Sequence, residues 1–518
     1  MTHGSRRFFW ICVAGWLLLV LLVASRHEFY RDEVRALSLV MDAGSLSDLP
    51  RLLQDEGHPI LWYVLLWSGY HITSSTRVLP VLSVLIAGTA VVVFVAGSPF
   101  PRWLKAMFVF SGLPLYEYSV SARNYGISML IMFAFAWLYP MRRRHPILLG
   151  LLLALLSNTN IHSLLLSGVL LAMWGWDVFA ESGTGSRDAI QFGAAVCVVV
   201  AGMAAAFMTV RPTNQMAASN SSAYTLPNVA RAVLETVKAP ARTFPDIAPS
   251  PPGVFAPVGS VLLVAATLGL IGQPVAFAAA LSGLVALSVL FQIVYPGGYR
   301  HQGLFVVFLM TLYWIVLASG GTRQRSKRVD YLAWAGLYGA LPVLLGILMV
   351  TGIAYAYGDF AHEESGSKAL GRFLRSHHEF DRAVLIGEPD FAMESVHYYV
   401  ANPIYIVREQ RFGTIVRFVR SARAEMSLIE LLRAAWDVRT REQRDVLIAL
   451  GHLKELDPAS PAGTLGTSVS YKYGKTFSWS PEEIRIWNAC TEPLQRFGDD
   501  AMTDERYTLY KLIAAPPQ

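Results

Sequence analysis

Charge is scarce in this chain. Only 15% of its 518 residues are Asp, Glu, Lys or Arg, against about 25% in an ordinary soluble domain, and 54% are hydrophobic. Water therefore cannot be the main solvent of most of the chain. Cysteine is nearly absent: Cys12, Cys197 and Cys490 are scattered, two of them inside apolar stretches, which excludes a disulfide framework and a cysteine metal cluster. No Gly-rich phosphate fingerprint, internal repeat or low-complexity tract occurs apart from the Pro-rich stretch 248–257. The net charge of +6 comes largely from short basic clusters, with no basic and aromatic patch of the kind that binds nucleic acid.

What the chain has instead is a succession of apolar runs. They cover 8–24, 59–72, 78–97, 104–119, 124–140, 146–159, 161–180, 189–210, 257–271, 274–294, 303–319 and 331–356. A run that crosses a hydrocarbon core of about 30 Å must be helical, because lipid offers no partner to bare backbone amides. The reading is a mainly α protein: a polytopic transmembrane helical bundle of about 11 to 13 spans. The first run is longer than the core of a signal peptide and reads as a retained helix. Basic clusters at Arg6 and Arg7, at Arg142 to Arg144 and at Arg323 to Arg328 mark the cytoplasmic side. The N-terminus is then cytoplasmic, and 26–58, 116–124, 158–162, 211–256, 295–301 and everything beyond 357 face outward. Four runs lie between 58 and 142 where an odd number of crossings is needed, so one does not cross. The short 59–72 run, with Ser68, Gly69, Tyr70 and His71, is the candidate.

Beyond Tyr357 the charges return, and 358–518 reads as a soluble α/β domain outside the membrane, following a transmembrane catalytic domain at 1–357. The runs 382–387, 403–407 and 445–450 are apolar throughout, as buried strands are, and 367–376 and 426–436 carry helical periodicity.

The residues best placed for chemistry follow the first span. Tyr30, Arg31, Asp32 and Glu33 open a stretch in which Val34, Leu37, Val40 and Met41 form an apolar stripe, stopped at Gly44. A second short helix starts at Ser45 with Asp48 in capping position, so 32–56 holds two amphipathic juxtamembrane helices. Carboxylates at a helix start are commonplace, since the helix dipole favours them there. The sequence that follows raises their interest: Asp55 and Glu56 precede Gly57-His58-Pro59-Ile60-Leu61-Trp62-Tyr63, Ser121-Ala122-Arg123-Asn124-Tyr125 opens a helix, and His162 lies in a helix–helix turn.

In that order and on one side of the membrane, these motifs resemble the class C (GT-C) glycosyltransferases, in particular the bacterial relatives of protein O-mannosyltransferases and of the lipid A aminoarabinose transferase. Members often carry two prolines after the histidine; here the second position is Ile60. The likeness covers the N-terminal third well and the rest in layout. It implies transfer of a sugar from a polyprenyl-phosphate carrier to a lipid, glycan or protein acceptor on the outer face, with inversion, in a membrane that would be the bacterial inner (plasma) membrane.

The chemistry can be set out independently. An acceptor hydroxyl loses its proton as it attacks the anomeric carbon, which calls for a carboxylate base, and Asp32 and Glu33 are the candidates. Asp32 is preferred because it is nearer the nonhelical approach. The departing phosphate calls for cations, and Arg300, His301 and Arg123 lie at that level, although interfacial arginines also snorkel. Gly297 and Gly298 would let backbone amides approach a phosphate. His58 and Tyr125 complete the expected substrate-binding set with His162, which equally reads as a residue that satisfies helix-end carbonyls. Tyr116, Glu117 and Tyr118 read first as interfacial belt residues. No cofactor is implied, the lipid-phosphate sugar being a substrate. Asp55 and Glu56 leave room for a divalent cation, though the reading is against one.

A transporter or flippase of a lipid-linked or polysaccharide substrate is the alternative class. It should hold charges near the midplane of its spans, whereas here only His71 and Gln292 offer polar handles within them.

Overall fold

A computed structural model describes residues 3–211, 225–248, 256–320, 326–417, 419–451, 468–471 and 474–517. They form two compact units. The first takes in Met1–Ser25, Ser45–Arg211 and the helices up to Tyr357; the second joins Arg26–Gly44 to Gly358–Gln518.

The first unit is a polytopic helical bundle. Among the described residues seven helices are long and apolar enough to cross a membrane: Gly4–Ala24, Val78–Gly97, Ile161–Ser182, Arg187–Val210, Pro274–Ile293, Tyr299–Ala318 and the run that begins at Lys327. Shorter apolar helices cover Tyr125–Met141, Pro146–Ser157 and Pro257–Leu268. The expected 59–72 segment is the helix Leu61–Thr73, whose 13 residues reach about 20 Å and fall short of a hydrocarbon core.

The expected 104–119 span is not one helix. Arg102–Val109 ends after 8 residues, and after Ser111 and Gly112 the chain makes a π-helical turn over Leu113–Glu117 around Pro114. Glycine and proline interrupt the regular ladder here. Nor are Tyr116, Glu117 and Tyr118 belt residues, because all three are buried in protein. Within the apolar segments Lys105 and Glu117 are also buried ionisable groups, so His71 and Gln292 are not the only polar handles.

Tyr299–Ala318 is the axis of the bundle, with every residue from His301 to Ile315 buried. A helix apolar on all sides has to be surrounded. At one level Phe94, Phe133 and Trp314 pack with ring centroids 4.9 to 6.0 Å apart. Elsewhere small residues let backbones meet: a Cβ added at Gly202 would lie 2.6 Å from that of Ala154 on the facing helix. Lipid gives no hydrophobic drive for helices to associate, so such close approach carries the packing. The stretch 211–256, read as an outer loop, contains an amphipathic helix, Leu226–Lys238.

The second unit is α/β. Its strands are β1 Val384–Glu388, β2 Ile404–Ile406, β3 Arg411–Phe412, β4 Glu425–Ser427, β5 Val446–Gly451, β6 Ser468–Ser470, β7 Thr476–Ser478, β8 Thr491–Phe497 and β9 Tyr507–Leu512. The main sheet runs β3-β2-β1-β5-β9-β8, with β2, β1 and β5 mutually parallel, and a small sheet runs β4-β7-β6. The three apolar runs in the sequence are this parallel centre, whose continuous hydrophobicity reflects burial on both faces. Val384 and Ile386 join Leu428, Leu431 and Leu432 of the helix Leu428–Glu442 on one face. Leu385 joins Leu370 and Leu374 of the helix Gly366–Ser376 on the other.

Candidate functional site

In the first unit the chain brings together several residues expected to bind substrate. The helix that begins at Tyr299 places Arg300 and His301 in its first turn rather than in a loop. His301 folds back so that its Nδ1 accepts the Gly298 amide at 3.1 Å, satisfying a donor the helix start leaves over. That amide is thus occupied. Gly297 has a packing reason as well: a Cβ there would meet the Phe291 ring at 2.3 Å. The expected glycine cradle for phosphate is therefore not how these residues are used.

Around His301 lie the rings of His162 at 5.1 Å, Tyr125 at 5.4 Å and Tyr295 at 5.3 Å. Arg123, Arg300, His58 and His162 all lie close enough to act on His301 electrostatically. Arg123 approaches the Tyr125 ring at 6.0 Å, and the Tyr118 hydroxyl donates to the Arg300 carbonyl at 2.7 Å. The turn before His162 is braced by Asn124, whose amide donates to the Thr159 carbonyl at 2.8 Å, and by the Leu61 amide on the Asn158 carbonyl at 3.0 Å. Asn160, not His162, caps the helix Ile161–Ser182, accepting from the Ser163 amide at 2.9 Å. His162 is buried and its Nδ1 has no hydrogen-bond partner, which removes the reading that it satisfies helix-end carbonyls. The cluster combines two guanidinium groups with imidazole and phenol groups, the donor set that suits a phosphate ester.

The carboxylates of the second unit are arranged unequally. The helix Arg31–Asp42 forms as its apolar stripe implies, burying Val34, Leu37 and Val40. Glu33 is wholly buried, its oxygens 3.0 and 3.2 Å from Nε2 of His27, whose Nδ1 lies 2.9 Å from Asp359. Asp32 keeps 37% of its side chain exposed, 3.6 Å from the Arg31 guanidinium. Glu505 accepts the Arg31 backbone amide at 2.7 Å, and the Ser365 and Ser395 hydroxyls donate to it at 2.5 and 2.7 Å. Burial pushes the Glu505 carboxyl up to about 7, against these hydrogen bonds, which favour the anion. Among the described residues no three His, Cys, Asp or Glu side chains gather as a metal-ligand set.

Sequence reasoning missed His27, Asp359 and Glu505. His27 was within reach, three residues before Tyr30, in a stretch where a histidine next to charged residues stands just beyond a span. Asp359 and Glu505 had no local signal.

Bundle and sheet together define an integral membrane protein with an appended α/β domain. The fold is similar over 100% of both chains to the crystal structure of ArnT from Cupriavidus metallidurans bound to undecaprenyl phosphate, at 11% sequence identity and a TM-score of 0.51. That likeness is one of fold, and it is GT-C-like. No protein-family model and no curated protein matches the sequence.

Proposed function

We propose that this protein is a membrane glycosyltransferase that moves a sugar from a polyprenyl-phosphate carrier to a lipid, glycan or protein acceptor. The observation that carries the reading is the full-length likeness to a structure holding undecaprenyl phosphate. It is joined by the chemistry of the cluster around His301.

In this reading an acceptor hydroxyl attacks the anomeric carbon, its proton passes to Asp32, and the bond from that carbon to the phosphate oxygen breaks. A single displacement inverts the anomeric centre. Arg300 and Arg123 take the charge that grows on the leaving phosphate, where pre-placed cations act with little reorganisation. His58, Tyr125, His162 and His301 orient the donor. Glu33, enclosed by His27, supports its neighbour. The reaction takes place on the outer face of the bacterial inner membrane, with the N-terminus cytoplasmic and the C-terminal domain outside.

The test supplies the purified protein with an undecaprenyl-phosphate-linked sugar and measures acceptor-dependent release of undecaprenyl phosphate. Asp32→Asn should slow turnover by about 10² to 10⁴-fold at saturating donor while remaining folded. Wild-type turnover in that variant removes Asp32 as the base, and failure to release carrier from any such donor sinks the glycosyltransferase reading itself.

A further inference from the structure

The backbone on either side of Asp32 is held by groups that arrive from far along the chain. Tyr399 donates its hydroxyl to the Phe29 carbonyl at 3.0 Å, and Glu505 accepts the Arg31 amide at 2.7 Å. Arg31 is the first residue of its helix, so its amide is one of the four donors that a helix start leaves without an intrahelical partner. A side chain of the same segment normally fills that place. Here a carboxylate 474 positions away does so, one residue before Asp32.

Glu505 is itself built in. It has no exposed surface, and its second oxygen accepts from Ser365 at 2.5 Å, Ser395 at 2.7 Å and Ser367 at 3.4 Å. Three hydroxyls on one carboxylate oxygen leave the other aimed at Arg31. The neighbouring Asp504 lies 3.4 Å from the Arg31 guanidinium, which also stacks at 4.9 Å over Phe391, so both backbone and side chain of Arg31 are fixed. One turn further on, Arg35 pairs with Glu394 at 2.6 Å and reaches the Val416 carbonyl at 3.1 Å. None of these contacts is needed to fold the Gly366–Ser376 helix or the main sheet, whose cores close without them. Their common effect is to fix where the helix start, and with it the Asp32 side chain, stands.

We infer that Glu505 is a positioning residue for sugar transfer: its carboxylate, braced by serine hydroxyls, caps the backbone at Arg31 and so aims Asp32. This rests on the reading of Asp32 as the base. It gives the C-terminal domain a part in the reaction, that of holding the base rather than binding the substrate. Because Glu505 touches neither substrate nor the reacting atoms, its loss should act only through Asp32. A shift of about 1 Å in a reacting group is enough to cost on the order of 10²-fold in rate.

The experiment is a double-mutant cycle in the carrier-release assay, with an undecaprenyl-phosphate-linked sugar that the wild-type protein turns over. Glu505→Ala should lower kcat by about 10 to 100-fold with the donor KM changed less than about twofold. Added to Asp32→Asn, the same substitution should cost less than about twofold more, since a base already removed cannot be misplaced. Amide exchange over residues 30–36 should quicken in Glu505→Ala and not elsewhere in the C-terminal domain. Glu505→Gln, which keeps an oxygen for the Arg31 amide, should recover most of kcat, whereas Glu505→Asp keeps the charge, withdraws the oxygen and should not.

Equal losses in the two backgrounds, or a Glu505→Asp variant more active than Glu505→Gln, would overturn the positioning role. If Glu505→Ala does not accumulate, the order of the Gln and Asp variants decides. Full turnover in Asp32→Asn is a different result: the base assignment then fails, and this inference with it. Loss in Asp32→Asn beside full kcat in Glu505→Ala overturns the inference alone.

Discussion

Nε2 of His27 stands 3.0 Å from Oε2 of Glu33, in a place where both side chains are almost completely shut off from solvent. On the other side of the ring Nδ1 meets Asp359 at 2.9 Å, so one imidazole bridges two carboxylates. Glu364 faces the same three groups. Of the adjacent acids in the Arg31–Asp42 helix, one is therefore committed to an internal bridge and the other keeps access to what lies outside.

The bridge should be visible in the pH dependence of stability. Burial alone would push His27 down, but Glu33 and Asp359 together hold it well above its usual 6.5. A histidine raised on folding contributes stability that is fully present below about 6.5 and is lost as the pH rises through its folded value. Wild-type protein should therefore lose melting temperature between about pH 6.5 and the alkaline range more steeply than His27→Gln, which has no such proton to lose. Parallel curves from thermal unfolding of the two proteins would show that the imidazolium bridge contributes nothing.

A second internal pair should behave differently. Arg408 and Glu388 are fully buried, 2.7 Å apart, and the guanidinium also donates to the carbonyls of Arg423, Ala424 and Thr476. Burial pushes Glu388 up to about 7 even with Arg408 beside it. Removing one partner strands the other in low dielectric, at a cost of about 3 to 5 kcal/mol. Arg408→Met should accordingly lower the melting temperature sharply. The double variant Arg408→Met with Glu388→Leu should regain much of the loss, because an apolar pair of similar size removes the desolvation cost as well as the attraction. Additive losses would mean that the carbonyl contacts of Arg408, rather than its pairing with Glu388, hold this end of β1.

How much of this was legible depended on distance along the chain. The runs 382–387, 403–407 and 445–450 announced β1, β2 and β5 because strands buried on both faces must be apolar at every position. The stripe Val34, Leu37, Val40 announced the Arg31–Asp42 helix, and Ser45 with Asp48 announced the next, its capping contact present at 2.8 Å. Boundaries inside apolar sequence were harder. Hydropathy alone does not mark the break at Ser111 and Gly112, nor the helix start at Tyr299, since both sides are equally apolar. The helix Leu226–Lys238 was passed over because its polar face made the whole stretch look like loop. Tyr125, His162 and His301 were each singled out, but that their rings converge follows from three helices packing, which no local period encodes. His27 with Asp359, and Arg31 with Glu505, join residues 332 and 474 positions apart.

The most demanding prediction concerns Arg300. It lies in the first turn of the helix that forms the bundle axis, half-buried, its carbonyl held by Tyr118 and its neighbour His301 ringed by His162, Tyr125 and Tyr295. An arginine that merely snorkels from such a helix end could be replaced with little effect on chemistry. An arginine that grips phosphate could not, because a guanidinium offers two parallel donors and an ammonium only a point charge. Arg300→Lys should therefore raise the donor KM by at least about tenfold, and Arg300→Ala by more, since a charge-assisted contact of about 1.5 to 3 kcal/mol corresponds to about 10 to 100-fold. The acceptor KM should hardly move in either variant. The comparison is made at saturating acceptor with the undecaprenyl-phosphate-linked sugar varied, on protein shown to be folded by its unfolding curve. Unchanged donor kinetics in Arg300→Ala would leave snorkelling as the whole role of the residue and shift the phosphate contact to Arg123, whose own alanine variant would then have to show the loss.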